Sequence, residues 1–303
     1  MNTFGTGAFH REDKRDYIFG AAGSESFDWE KGYETDISDV EIRNQNGSLS
    51  CVAQSTVAMV DILTGMKKSA HYVYSQIFLS NGGAFMKDGI DIGSKQLIAF
   101  EKDFPSYPAD EASLRDKKGL NIRLDPIPDT YASISVNIDS IAQAIRDNKC
   151  AMIGAEGSND GWNNPDIEFI KNDWGHAVCA VGAVMRNGKK AIKFLNSWSK
   201  FWGDNGCGYI NEDYFNKDAI MAAFVYTNNF FKPNEDAMEY LLNNENKLVQ
   251  NAETGEIGLI KGKEVLVTSS GRAGLLALTH IIRNGGGGAV PKELWNDFPK
   301  KSF

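Results

Sequence analysis

An α+β chain with two lobes, helices first and antiparallel strands second, and a small α/β appendage at the C-terminus, is predicted by three features. After Cys51 the apolar residues Val52, Ala53, Val57, Ala58, Met59, Val60, Ile62 and Leu63 recur with helical spacing until Gly65 can stop them. From His176 to Gly182 the spacing changes to strand-like alternation, and a turn at Arg186-Asn187-Gly188 leads into a second apolar run, Ala191 to Leu195. Beyond Phe231 three short strand-like runs are separated by turns at Glu253-Thr254-Gly255-Glu256 and Lys261-Gly262-Lys263.

Taken in order, residues 1–26 are polar and glycine-containing without a period and read as an N-terminal arm. Residues 27–230 form the main domain. Its helical half holds a helix over 51–64, a second over 70–80 and a third near 94–102. Between the last two lies a glycine-rich passage from Asn81-Gly82-Gly83 to Gly93, read as a loop, and Pro105, Pro108, Pro126 and Pro128 punctuate the crossing to the second half. There a short helix over 139–147 precedes a strand over 151–155, and the long loop 157–173, carrying Trp162, is expected to form a cleft wall. In residues 231–303 the pattern predicts a helix over 234–244, strands near 247–251, 256–260 and 264–268, and a helix over 271–283 ahead of four glycines and a tail. About 70 residues bury too little to stand alone, so this segment is expected to dock on the main domain or on a partner, giving an oligomer or a larger assembly.

Composition narrows the function. A net charge of −8 and a pI near 5.2 argue against a nucleic-acid surface, and no basic cluster interleaved with aromatics offsets them. No apolar run approaches the length of a membrane helix, and Met1 to Gly7 has neither the basic region nor the apolar core of a signal peptide, so no membrane partner and no secretion are expected. Cys51, Cys150, Cys179 and Cys207 are scattered singly, which suits a reducing compartment, cytoplasmic or within an assembled particle. The last three read as buried structural thiols. His10, His71 and His280 have no ligand-spaced partners, so no metal and no cofactor are predicted.

Cys51 differs because it follows the loop Gln45-Asn46-Gly47-Ser48-Leu49-Ser50 and opens a helix. Unpaired N–H groups and the helix dipole at that point favour a thiolate and should lower the thiol pKa. His176 and Asn196 lie on the two paired runs, within reach of one another. An acyl transfer needs a nucleophile, a base, a group fixing the base's tautomer, and donors aimed at the developing oxyanion. Cys51, His176, Asn196 and Gln45 supply each role once.

Gln45 six residues before the cysteine, the Gly-Ser-x-Ser-Cys loop, the strand His176-Ala177-Val178-Cys179-Ala180-Val181-Gly182, and Asn196-Ser197-Trp198 followed by Trp202-Gly203-Asp204-Asn205-Gly206 together resemble the papain-like cysteine peptidases. Asn196 follows Cys51 within the ~130–150 residues usual for such enzymes, and His176 follows slightly sooner. The resemblance covers roughly residues 14–228, since Asp13 to Tyr17 and Phe27-Asp28-Trp29 look like the opening of such domains. It implies a two-lobed papain-like fold that cleaves peptides or proteins through a Cys51 thioester. Within it His176 is the base, Asn196 the orienting group, Gln45 the oxyanion donor, and Trp198 a cover over the Asn196 to His176 bond. It also implies substrate-binding backbone at Gly175 and Ala177 and, in the glycine-rich passage, at Gly89 and Ile90.

Three positions depart from the family. Val52 replaces an aromatic, Ser48 stands where many secreted members carry a disulfide cysteine, and Leu49 replaces a glycine beside the cleft, which narrows the approach of a substrate backbone. Only 50 residues precede Cys51 here, which leaves little room for the long inhibitory segment expected of secreted members. A tail over 285–303 lying in the cleft is one expectation for restraint. The alternative to an enzyme is a structural or binding component of a larger assembly, viral particles included, built on the same fold.

Overall fold

The computed structural model describes residues 6–13, 18–19, 26–95, 98–116, 124–125 and 130–227, together with four C-terminal strands. In chain order the elements are β1 (Ala8–Phe9), β2 (Ile18–Phe19), β3 (Tyr33–Glu34), α1 (Cys51–Thr64), α2 (Ala70–Ile77), β4 (Ala84–Phe85), α3 (Met86–Lys95), β5 (Ile98–Ala99), α4 (Glu111–Arg115), β6 (Leu124–Asp125) and β7 (Thr130–Ile134). There follow α5 (Ile138–Asn148), β8 (Ala151–Gly157), β9 (Asp166–Ile167), β10 (Trp174–Arg186), β11 (Lys189–Leu195), β12 (Cys207–Asn211), α6 (Glu212–Phe215) and β13 (Ile220–Thr227). The C-terminal strands are β14 (Lys247–Gln250), β15 (Ile257–Lys261), β16 (Glu264–Val267) and β17 (Lys300–Ser302), which pair in that order into an antiparallel sheet. The helices expected over 234–244 and 271–283 lie outside the described residues.

Two apolar cores lie on either side of the main sheet, Ala177, Cys179 and Val181 of β10 entering one and Val178 and Ala180 the other. One surrounds α1 and gathers Val57, Met59, Val60, Val73, Tyr74, Ile90 and Ile98. The other lies between α5 and the sheet and gathers Ile141, Ile145, Ile153, Trp162, Phe194, Ile210 and Val225. Each fully buried aliphatic side chain of this size stabilises by about 1.5–3 kcal/mol, so both cores are needed to hold the halves that meet at the cleft. The main sheet runs β2-β7-β13-β8-β10-β11-β12-β9, with β3 also on β10. Its centre is the β10–β11 hairpin, where Arg186 pairs with Lys189 across a turn that places Asn187 and Gly188 at φ 53° and 75°. Those positive values suit Asn-Gly in a two-residue hairpin.

Helix α1 is buried along nearly its whole length, with Cys51 at its first position. Gly65 ends it in the left-handed conformation at φ 71°, donating its N–H to the Asp61 carbonyl. A buried ion pair fixes the chain ahead of the nucleophile loop to this helix. Arg43 Nη2 donates to Asp61 Oδ2 and to the Lys68 carbonyl, each at 2.8 Å, and Asp61 Oδ1 accepts the Lys68 N–H.

The third helix departs from expectation. It covers Met86–Lys95 rather than 94–102, so Gly89 and Ile90 are helical packing residues and not the wall of a cleft. A Cβ on Gly89 would sit 2.6 Å from Thr56 Oγ1 and Val52 Cγ1 of α1, and Ile90 is fully buried in the helical core. The glycines of this stretch bring two helices close together instead of loosening a loop.

Candidate active site

The nucleophile loop is cross-tied before α1 begins. Asn46 and Gly47 take positive φ of 48° and 75°, and Ser48 N–H returns to the Gln45 carbonyl at 2.9 Å. The Ser48 hydroxyl donates to the same carbonyl at 2.7 Å and pairs with the Ser50 hydroxyl at 2.8 Å. These bonds brace the loop at the position where secreted relatives use a disulfide. The Ser50 side chain bonds Ser48 and Gln54 instead of capping α1, so the first N–H groups of the helix are left for the sulfur of Cys51.

Gln45 is fully buried against the segment after β11. Its N–H donates to the Ser197 carbonyl at 2.9 Å, its Oε1 accepts from the Ser197 hydroxyl at 2.5 Å, and its Nε2 donates to the Ser48 carbonyl at 2.6 Å. An amide carries two N–H donors, so one remains for a ligand.

His176, on β10, is bonded to Asn196 through Nε2 and Oδ1 at 2.8 Å. Asn196 Oδ1 also accepts the Ser197 N–H at 2.8 Å, which identifies that atom as the oxygen. His176 Nε2 is therefore the donor, and in the neutral ring Nδ1 holds the free lone pair. Nδ1 is buried without a hydrogen-bond partner among the described residues. The imidazole stacks on Trp198 with centroids 4.5 Å apart at 23°, and it meets the edges of Trp162 and Trp174 at 5.6 and 6.1 Å. Trp198 thus lies over the bonded imidazole. Trp162, from the 157–173 loop, is fully buried and packs edge-on against the ring. Sequence periodicity could not find it, since it sits in an irregular segment.

Cys51 and His176 are both fully buried. Burial pushes the Cys51 thiol up to about 12, opposed by backbone N–H groups of Ala177, Val52 and Cys51 that favour the thiolate. Burial likewise drives His176 down to about 4, opposed by its bond to Asn196. The lowered thiol pKa expected from the helix terminus is therefore not the state seen here: with water excluded, the neutral pair is favoured.

The N-terminal arm is bonded to both sides of this site. Residues 6–9 run through the cleft between the lobes, so this segment is not a loose lead-in. Gly7 donates its N–H to the Gly175 carbonyl of β10 at 2.9 Å and accepts the Ala84 N–H of β4 at 2.9 Å. β1 continues in parallel along β4, with Ala8 opposite Ala84 and Phe9 opposite Phe85. Ala8 packs in the same apolar cluster as Cys51. Further out, Arg11 pairs with Asp88 and Lys87 reaches Asp13 at 3.5 Å.

Asn196, Trp198 and, through Ser197, Gln45 gather around His176, Gly175 directly precedes it, and Cys51 meets the same strand at the neighbouring Ala177. The backbone N–H of Ala177 bonds the Cys51 sulfur. Gly89 and Ile90 lie within α3, whereas Gly83 and Ala84 flank Gly7; a Cβ on Gly83 would overlap the Gly7 carbonyl. The Asn81-Gly82-Gly83 run was visible in the sequence, but choosing it over Gly89 requires knowing which glycines are helical. The tail over 285–303, expected to restrain the cleft, lies outside the described residues except for the backbone of β17. Cys150, Cys179 and Cys207 are buried free thiols. His71 is a satisfied structural histidine, bonded to the Pro105 and Asp116 carbonyls at 3.1 and 2.7 Å, and His280 lies outside the described residues.

The architecture is similar to that of known enzymes. Xylellain, a cysteine protease from Xylella fastidiosa, superposes with a TM-score of 0.62 at 16% identity, covering 75% of this chain and 97% of that one. Procathepsin L2 from the larval midgut of Tenebrio molitor gives 0.60 at 17% identity, covering 75% and 79%. The bromelain protease of Ananas comosus, in complex with the E64 inhibitor, gives 0.55 at 20% identity, covering 65% and 99%. At these identities the likeness establishes the fold. The sequence profile of the papain family cysteine proteases matches residues 23–227, most of the chain, and with it the protein belongs to the papain family as a cysteine peptidase.

Proposed function

We propose that Cys51 is the nucleophile of peptide-bond cleavage, His176 its base, Asn196 the group that orients the imidazole, and Gln45 with the Cys51 N–H the oxyanion site. The observation that carries this reading is the Asn196 to His176 bond, which fixes the proton on Nε2 and leaves Nδ1 free to accept one. His176 Nδ1 takes the Cys51 proton, the sulfur adds to the carbonyl carbon, and the oxyanion forms against Cys51 N–H and Gln45 Nε2. The imidazolium returns the proton to the departing amine, leaving a thioester. Water, deprotonated by His176, then releases the acid. Trp198 and Trp162 keep the imidazole in place and dry.

Gly175 and Gly83–Ala84 are proposed to hold the substrate backbone, on the strength of the bonds that this region makes to the arm. The substrate is a peptide or protein strand, and a carbonyl reaches Cys51 only when residues 6–9 leave. Residues 231–303 are proposed as a docking or assembly segment outside the catalytic domain. Incubation with iodoacetamide and peptide mapping tests the nucleophile: a thioether at Cys51, with peptidase activity lost in step, is expected. Full activity in a Cys51→Ala protein would refute it.

A further inference from the structure

The arm is a peptide already seated in the cleft, and the residue at the narrowest point is Gly7. A Cβ there would lie 2.8 Å from Leu49 Cβ, 2.8 Å from the Leu49 carbonyl oxygen and 2.9 Å from Gly83 Cα. None of these atoms is the far end of a flexible side chain, so the slot cannot give way cheaply. Gly7 also takes φ of 112°, a conformation that side chains oppose. Leu49 leans on the far wall as well: a Cβ on Gly82 would overlap its Cδ1.

Both walls are anchored to one carboxylate. The Leu49 N–H donates to Glu111 Oε2 at 2.7 Å. The Tyr74 hydroxyl donates to Glu111 Oε1 at 2.7 Å and accepts the Gly83 N–H at 3.0 Å. Arg115 Nε holds Glu111 Oε1 at 2.7 Å. Leu49 and Gly83 therefore cannot drift apart without breaking a charge-assisted network.

We propose that the slot between Leu49 and Gly83 admits glycine alone, so that the enzyme acts on peptides with glycine beside the scissile bond and holds its own arm through Gly7 by the same selection. The proposal rests on the reading of Cys51 as nucleophile. Leu49 is the specificity-determining side chain, and Glu111 is a positioning residue that keeps the slot narrow.

The test uses dipeptidyl chloromethyl ketones ending in Gly-Gly, Ala-Gly, Gly-Ala and Ala-Ala, with labelling of Cys51 read by mass spectrometry. It is run on the full chain and on Ala8→Asp, in which the arm is lifted, with iodoacetamide as a size-indifferent control. Gly-Gly is expected to label about tenfold or more faster than Ala-Ala, and Leu49→Gly to reduce that ratio at least about threefold. In the chain without probes, Gly7→Ala should raise iodoacetamide labelling of Cys51 about tenfold, because the added methyl does not fit. Equal rates for Gly-Gly and Ala-Ala beside normal iodoacetamide labelling would overturn the glycine slot alone. A ratio unchanged by Leu49→Gly would remove Leu49 from the selection, and an unchanged rate in Gly7→Ala would show that the slot tolerates a side chain. Failure of every reagent, iodoacetamide included, to label Cys51 in Ala8→Asp would overturn the nucleophile reading and the proposal with it.

Discussion

The N–H of Gly7 donates to the carbonyl of Gly175 across 2.9 Å, which joins the N-terminal arm to the residue immediately before His176. Through its carbonyl the same residue accepts the Ala84 N–H, so one glycine joins β10 to β4. If Gly175 and Ala84 hold the substrate backbone as proposed, the arm and a substrate strand compete for the same groups.

Displacing the arm should expose the nucleophile. Ala8 is 3% exposed and lies in the apolar cluster that includes Cys51, so Ala8→Asp places a charge where it cannot be solvated unless the arm moves out. Iodoacetamide labelling of Cys51 is expected to rise about tenfold or more while the melting transition of the rest is retained. An unchanged labelling rate would show that the arm does not limit access.

Stability should depend on His176 at acid pH. Its folded pKa of about 4 lies below the unfolded 6.5, so the unfolded chain binds more protons between these values. The stabilisation is complete above pH 6.5 and is lost as pH falls toward 4, by about 3 kcal/mol at most. The difference in unfolding free energy between wild type and His176→Ala should shrink over that window. A pH-independent difference would contradict the neutral, buried imidazole.

Gln45→Ala should lower kcat about 10²–10³-fold with little effect on KM, since the lost donor acts on the oxyanion rather than on the bound peptide. Ser197→Ala, which frees the Gln45 amide without removing it, should lower kcat less. A Gln45→Ala enzyme with wild-type kcat would exclude this amide from the oxyanion site.

Arg43→Ala should destabilise the protein by about 3–5 kcal/mol in urea unfolding, because Asp61 is left buried without its partner. The double variant Arg43→Ala with Asp61→Ala should lose less than the sum of the single losses. Additive losses would mean the pair is not coupled.

Much of this was legible in the chain itself, for physical reasons. Helix α1 and the β10–β11 hairpin were readable because burial on one face imposes a period and Asn187-Gly188 a turn. Cys51, His176, Asn196 and Gln45 stood out because the proposed acyl transfer would use those groups together. The third helix was misplaced because Gly89 and Gly93 look like loop residues until α1 and Tyr226 are seen pressing on them. Trp162 and the arm were not legible: an irregular loop and a polar terminus have no period, and their roles arise only where distant segments meet.

The most direct test is the pH dependence of Cys51 alkylation in Ala8→Asp, with and without His176→Ala. With the arm out and water admitted, the thiolate–imidazolium pair should react well below the free-thiol pKa of about 8.5 and lose that reactivity without His176. An ordinary thiol titration in both proteins would contradict the assignment of Cys51 and His176 as the catalytic pair.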